Sequence, residues 1–270
     1  MKIAAVQMNS HDDVAKNLSV VRARVAEAAK QGASVVLLPE NFAFMGGTDE
    51  QRREVMEPLD GNGPIVSALL SLAREHAVTI IAGGMPERSS TEGKVHNTLL
   101  VISPDAKIQA VYRKIHLFDV DAGDGQKYRE SDAVVPGDEV VVAEIGGLKF
   151  GLAICYDLRF PELFRKLVER GAEVLVLPAA FTLMTGKDHW HALLRARAIE
   201  NQCFVVAAAQ WGSHPKGRQT YGKSLVIDPW GDVIAQASDG EGLVFAELNR
   251  ERLAKLRQSF PALSHRRLNG

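Results

Sequence analysis

Lys149-Phe150-Gly151-Leu152-Ala153-Ile154-Cys155-Tyr156-Asp157-Leu158-Arg159-Phe160-Pro161-Glu162-Leu163 is the stretch on which the fold turns. The apolar run from Phe150 to Ile154 is short and follows Gly146-Gly147, so it reads as a buried strand. Polar residues begin directly after Cys155. Pro161 and Glu162 suit a first helical turn, because proline has no N–H to lose there and glutamate complements the positive end of the helix dipole. Strand, cysteine, tight turn and helix in that order lift a side chain out of the core at the carboxyl end of a strand. Open α/β sheets place their ligands there. A lone buried cysteine more often only fills space, so the case for a reactive thiol depends on the rest of the chain.

Working outward, Ile3 to Val6 reads as a first strand, and Val14 to Lys30 carries Leu18, Val21, Val25 and Ala28 at helical spacing until Gly32 stops it. Ser34 to Glu40 is an apolar strand that ends on a carboxylate. Pro64 to His76 is a second amphipathic helix and Val78 to Gly84 a third strand. His96 to Pro104 and Ile108 to Tyr112 form a hairpin across Asp105-Ala106. After residue 145 the same order returns. The Cys155 strand is followed by a helix over Pro161 to Glu169 and by a strand, Gly171 to Ala179, that echoes Gly32 to Glu40. A helix from about Asp188 to Glu200, a strand from Cys203 to Ala209 and a hairpin from Lys223 to Ala235 complete the second half. A βαβ-rich unit used twice predicts an α/β fold, a four-layer α-β-β-α sandwich of two pseudo-repeated halves. The expected organisation is a single domain over residues 1–270. The reactive residues break the repeat: Glu40 has Ala179 as counterpart, and Cys155 has Gln7 or Met8. One site assembled from both halves is expected.

The 270 residues are 46% hydrophobic and 24% charged, enough for a large core. The 32 basic and 33 acidic residues form no block of one sign, so neither nucleic acid nor a membrane surface is expected as a partner. Two cysteines argue against a disulfide scaffold and fit a reducing compartment. The opening Met1 to Gln7 is too brief an apolar run for a signal peptide, and no run approaches the ~20 residues of a membrane span. A soluble cytoplasmic protein is expected. His189-Trp190-His191 does not read as a metal site, since i and i+2 on a helix face different ways and no further cluster supplies ligands. No metal and no cofactor is expected. Gly217-Arg218-Gln219-Thr220-Tyr221-Gly222-Lys223-Ser224 fits the pattern G-x-x-x-x-G-K-S, which raises a nucleotide-binding protein as the competing class. A phosphate-binding loop of that kind must open a helix, whereas Leu225 to Pro229 reads as a strand closed by a turn.

The third informative piece is Tyr112-Arg113-Lys114-Ile115-His116-Leu117, whose lysine closes the hairpin strand at the sheet edge that carries Glu40. Pro39-Glu40, Arg113 to Leu117 and Cys155 to Glu162 resemble the three signatures of the nitrilase, or carbon–nitrogen hydrolase, superfamily, in that family's order and spacing over essentially the whole chain. The resemblance implies that Cys155 attacks an amide carbonyl while Lys114 and a backbone N–H near Tyr156 hold the oxyanion. It implies that Glu40 carries the thiol proton to the leaving nitrogen, with release of ammonia, and then activates water against the thioester. Glu130, in Tyr128-Arg129-Glu130-Ser131, matches the position of an accessory glutamate. A lysine ~4 Å from the thiol contributes up to ~4 kcal/mol at an effective dielectric of ~20, so an abundant thiolate is expected.

Ala180 to Trp190 is expected to line the pocket, with Phe181 and Thr185 as substrate contacts. With Arg195 to Gln202 and Ala207 to Gln210, it resembles the superfamily branch that holds the deaminated glutathione amidases, whose neighbours are omega-amidases. That resemblance implies a small-molecule amide substrate, cleaved at the terminal amide of a 2-oxo acid such as deaminated glutathione. An omega-amidase or an N-carbamoyl amino acid hydrolase is the alternative. Tyr156 and Arg159 are the substrate-binding candidates beside the nucleophile; Arg159 suits a carboxylate in bidentate fashion, or else pairs with Asp157 or Glu162. Arg195 and Arg197 are expected to bridge elements. Relatives use the tail, here Arg252 to Arg267, and the Cys-proximal helix at a two-fold interface, so a homodimer or larger homo-oligomer is expected.

Overall fold

The structure is a computed structural model that describes residues 1–121 and 127–268. Its first part runs β1 (Lys2–Gln7), α1 (Val14–Lys30), β2 (Val35–Leu38), α2 (Asp49–Glu54), α3 (Pro64–His76), β3 (Thr79–Arg88), β4 (Val95–Ile102) and β5 (Ile108–Arg113). The short strands β6 (Asp119–Asp121) and β7 (Lys127–Arg129) pair with each other. The second part runs β8 (Val142–Ile145), β9 (Leu148–Leu152), α4 (Pro161–Glu169), β10 (Val174–Ala179), α5 (Leu183–Asn201) and β11 (Phe204–Ala209). It continues through β12 (Trp211–Ser213), β13 (Gln219–Tyr221), β14 (Leu225–Ile227), β15 (Val233–Gln236), β16 (Gly242–Glu247) and α6 (Arg250–Ser259).

The helices start where the chain offers acceptors for their first N–H groups. Asp13 caps α1 by accepting from the Lys16 N–H at 3.0 Å. Gly63 begins α3 with no side-chain cap of its own, and the Glu57 carboxylate fills the gap, accepting from the N–H groups of Ile65 and Val66 at 2.7 and 3.0 Å. Thr182 caps α5, whose first turn therefore starts five residues before the Asp188 that the sequence pattern indicates. The stretch expected as a pocket loop is thus mostly the opening of a helix.

Two six-stranded sheets are ordered β16-β1-β2-β3-β4-β5 and β15-β14-β11-β10-β9-β8. Within them β1, β2 and β3 run parallel, as do β9, β10 and β11, and the outer strands are antiparallel in both. The register aligns Ile3 with Val35 and Phe150 with Val174. That makes Met8, not Gln7, the counterpart of Cys155. The repeat differs in the source of its sixth strand: β8 immediately precedes β9, whereas its equivalent beside β1 is β16, from the far end of the chain.

Strand alternation sorts the apolar residues into layers. Ala4, Val6, Val36, Leu38, Ile80 and Ala82 pack with Val21, Val25, Leu69 and Leu72 of α1 and α3 on the outer face of the first sheet. Their neighbours Ile3, Ala5, Val35, Leu37 and Ile81 turn inward and join Val174 to Leu177 and Val205 to Ala208 of the second sheet. Trp190, Leu194, Phe164 and Leu167 of α5 and α4 extend that core to the opposite surface. The order is helix, sheet, sheet, helix. Among the described residues no helix is long and apolar enough to cross a membrane.

The stretch 217–224 leaves a 3-10 turn at Gly217, contains strand β13 and opens no α-helix. Ser224 is buried and its hydroxyl accepts from the Ala209 N–H at 2.9 Å, while Lys223 pairs with Asp239 at 2.6 Å. The resemblance to a phosphate-binding loop is one of letters alone.

Candidate active site

Strand polarity brings the three signatures together. The carboxyl ends of β2 and β5 lie at one edge of the first sheet, and the start of β4 lies between them, because β4 runs antiparallel to β3 and β5. Glu40 follows β2, Lys114 follows β5, and Asn97 sits early in β4. The Lys114 Nζ donates to Glu40 Oε1 at 3.0 Å and to Glu130 Oε2 at 2.8 Å. Asn97 spans the same two carboxylates from behind, its Nδ2 donating to Glu40 Oε1 and Glu130 Oε1, both at 3.0 Å. The second oxygen of Glu40 accepts from the Ala180 N–H at 3.0 Å, across the seam from the second sheet. Glu130 also accepts from the Phe118 N–H at 2.8 Å. Lys114 is only 2% exposed, a depth at which an ammonium needs such partners.

Cys155 follows β9 and opens a 3-10 turn over Cys155–Arg159 with φ +47°, a left-handed conformation that costs a non-glycine residue energy and marks functional turns. The fully buried carboxylate of Asp157 holds the turn. Its Oδ2 accepts from the Ile154 N–H at 2.8 Å and from the Tyr112 hydroxyl at 2.6 Å. Its Oδ1 accepts from the His116 N–H at 3.1 Å and lies 2.7 Å from His116 Nδ1. Tyr112 and His116 flank Lys114 in sequence, so one carboxylate fixes the cysteine turn and the lysine strand relative to each other. Burial and Asp157 push the Tyr112 hydroxyl well up from its ordinary range, which keeps it a neutral donor.

The thiol lies near enough to Glu40 and to the Ala180 N–H for both to act on its protonation. Burial, reinforced by the Glu40 charge, pushes Cys155 well above the usual thiol range, and Lys114 only partly opposes this. The expected abundant thiolate is therefore corrected to a neutral thiol. Lys114 is already matched by two carboxylates, so the cluster presents a net negative charge to the sulfur. Lys114 itself is held above the ordinary lysine range: burial opposes its charge, but Glu130 and Glu40 outweigh it. Glu130 is partly buried, which opposes its charge, yet Lys114 holds its carboxyl below the usual range.

These residues open onto a cavity of about 430 Å³. The carbon–nitrogen hydrolase family model matches residues 2–258.

The chain belongs to the carbon–nitrogen hydrolase family.

It is accordingly a hydrolase of carbon–nitrogen bonds other than peptide bonds. It is 45% identical over 267 residues to a Synechocystis protein named deaminated glutathione amidase, covering 97% of each chain. The Caenorhabditis elegans NitFhit protein superposes with a TM-score of 0.92 at 39% identity, covering 98% of this chain and 65% of that one. Saccharomyces cerevisiae Nit3, a member of branch 10 of the nitrilase superfamily, superposes with a TM-score of 0.89 at 32% identity, covering 99% and 97%.

In this carbon–nitrogen hydrolase Tyr156, Arg159, Phe181 and Thr185 all line the cavity. The Arg159 guanidinium lies over the rings of Tyr156 (5.8 Å) and Phe181 (5.4 Å), and its Nη1 is 3.3 Å from His189 Nδ1. Among the described residues Arg159 forms no ion pair, so pairing with Asp157 or Glu162 is not how it is held. Arg197 donates to the Leu158 carbonyl and Arg195 to that of Gly231, as bridging residues. His189 and His191 turn to different partners, Arg159 and Gln236, and among the described residues no group of three His, Cys, Asp or Glu could hold a metal. Cys203 is an interior residue, its thiol pushed up to about 12 chiefly by burial.

Sequence reasoning missed Asn97, the Ala180 N–H, Asp157 and the basic residues Arg52, Lys127 and Arg218 of the cavity wall. Asn97 carried a signal, a buried amide within an otherwise apolar strand; the others depend on distant contacts.

The cavity rim rests on His214, whose Nδ1 is 2.9 Å from the Ser10 carbonyl and whose Nε2 is 2.7 Å from the Thr220 hydroxyl. Burial, helped by the nearby Arg218 and His11, lowers it to about 4 from 6.5. Between these values the unfolded chain binds the proton that the folded chain refuses. The stability involved is complete above pH 6.5 and drains as pH falls toward 4, amounting to about 2 kcal/mol at pH 4.5. Urea unfolding at pH 7 and 4.5 is expected to show that additional loss in the wild type and not in His214→Gln. A second expectation concerns the sulfur. Glu40→Gln removes the negative charge beside Cys155, so the midpoint of iodoacetamide alkylation against pH should fall by about one unit or more. An unchanged midpoint means the carboxylate is not what keeps the thiol protonated.

Proposed function

We propose that Cys155, Glu40 and Lys114 carry out amide hydrolysis through a thioester, with Glu130 as accessory carboxylate. The observation that carries the reading is the buried Glu40 carboxylate, bonded to Lys114, Asn97 and the Ala180 N–H, in the cavity wall that also holds Cys155. Because the resting sulfur is protonated, the attack needs a base, and Glu40 is the group in place to take the proton as Sγ bonds to the amide carbon. The carbonyl electrons move onto oxygen, where the Lys114 ammonium and the Tyr156 N–H, at the unpaired start of the 3-10 turn, stabilise the charge. Glu40 then passes its proton to the nitrogen as the C–N bond breaks, leaving an acyl thioester. A water deprotonated by Glu40 attacks the thioester, and the proton returns to the departing sulfur. Glu130 and Asn97 keep Lys114 and Glu40 aimed throughout.

We propose deaminated glutathione as the substrate and the cytoplasm as the compartment. The relative's name, the cavity volume and the cationic side chains of its wall support this choice. In that molecule the 2-oxoglutaryl group is joined to cysteinylglycine. The amine released is then the dipeptide, and ammonia leaves only when the ω-amide is unsubstituted. A panel of deaminated glutathione, 2-oxoglutaramate, N-carbamoyl amino acids and simple nitriles is expected to show highest kcat/KM for the first. Highest turnover of a nitrile or carbamoyl compound would refute the assignment. In Cys155→Ala all turnover should vanish with the fold retained by circular dichroism.

A homodimer is proposed as the working unit, supported by the exposed Trp230 and Phe260, whose rings lie 6.0 Å apart, with Ile199 also exposed. Sedimentation at micromolar concentration should give twice the chain mass; a monomer contradicts it.

A further inference from the structure

The wall of the cavity contains an arc of aromatic rings with a guanidinium at each end. Tyr156 meets Phe118 at 5.1 Å between centroids, and Phe118 meets Tyr128 at 5.0 Å. Arg159 covers Tyr156 at one end, and Arg218 covers Tyr128 at the other, 5.5 Å from its centroid. All five residues line the cavity.

Arg218 is set up for a ligand it does not find among the described residues. Its Nε is shut away from solvent with no hydrogen-bond partner, and among the described residues its guanidinium makes no ion pair. A buried guanidinium N–H left unpaired is costly, and a carboxylate is the group that satisfies it best. Asp49 and Asp132 line the same cavity, but neither pairs with it.

The residue is also held in position. It immediately precedes β13, the return strand of the β12–β13 hairpin, where its carbonyl accepts from the His214 N–H at 2.8 Å. The His214 ring is tied to Ser10 and Thr220, and the Tyr221 N–H donates to the Phe181 carbonyl at 3.0 Å. The hairpin is thereby anchored to the first sheet and to the cavity wall, so little ordering is left for binding to impose.

We infer that Arg218 receives the carboxylate on the leaving-amine side of the substrate, while Arg159 receives that of the acyl side. This deepens the proposed function and rests on it. Arg159 shares the turn of Cys155 and the cavity wall beside it, the side on which a short 2-oxo acyl chain is held. The leaving dipeptide carries its carboxylate two residues out, roughly 7 Å beyond the scissile nitrogen when extended. Arg218 lies at the other end of the arc, past Phe118 and Tyr128, on the side opposite Arg159.

The test compares deaminated glutathione with its C-terminal glycinamide, which differs only in that carboxylate. Wild-type enzyme is expected to favour the acid in kcat/KM by roughly tenfold or more, mainly through KM. Arg218→Gln should abolish the preference, and Arg218→Lys should keep part of it. The inference is overturned if wild-type enzyme shows no preference, if Arg218→Gln retains it, or if that variant loses equally on both substrates. If wild-type enzyme hydrolyses neither compound, the proposed function itself fails and this inference falls with it, a result visible before any variant is made.

Discussion

A single ammonium, that of Lys114, is buried between two carboxylates, and the site follows from keeping it there. A charge at that depth is tolerated only with close partners. Glu40 and Glu130 supply them, and Asn97 ties the two together from the opposite side. The arrangement requires the ends of three strands to meet at one edge, and it ties the Phe118 N–H to Glu130. It also sets the state of the sulfur. Burial first, and the Glu40 charge after it, favour the protonated sulfur of Cys155, so its activation is coupled to proton transfer at Glu40 when a carbonyl is present.

The repeated architecture explains how such an asymmetric site can be built on near-symmetric sheets. The position of Cys155 is taken in the first half by Met8, fully buried, and that of Glu40 by Ala179 in the second. Backbone geometry is shared, while side chains at equivalent strand ends differ. The neighbouring Ala180 contributes only its N–H, which reaches across to Glu40 and lies beside the thiol. The sheets meet tightly on this side of the molecule: a side chain on Gly83 would overlap Pro178 of the facing strand.

Much of this is legible in the sequence, for identifiable reasons. Helices α1, α3 and α4 can be placed to the residue because Asp13, Gly63-Pro64 and Pro161 mark their starts and glycine or a turn marks their ends. The start of α5 is obscured because its cap, Thr182, sits in an apolar stretch that mimics a loop after a strand. The state of the thiol is misjudged by pairwise reasoning, since a lysine near a sulfur favours thiolate only when nothing else claims the lysine. Glu130 claims it, from a segment sixteen residues away. Arg218 is hidden for a different reason. Its partners Tyr128 and Phe118 are remote in sequence, and its own stretch is dominated by an accidental phosphate-loop pattern.

The strand β16 has a consequence for how the chain is made. It zips along β1 from Lys2 opposite Glu247 to Gln7 opposite Gly242, joining the two most distant parts of the described chain. On a ribosome the second sheet can assemble its β8–β9 edge as soon as those neighbours emerge, but β1 is left with a bare, apolar edge until β16 has been translated. Such an edge is a template for mispairing, so protection of β1 by a chaperone falls to the time before β16 appears.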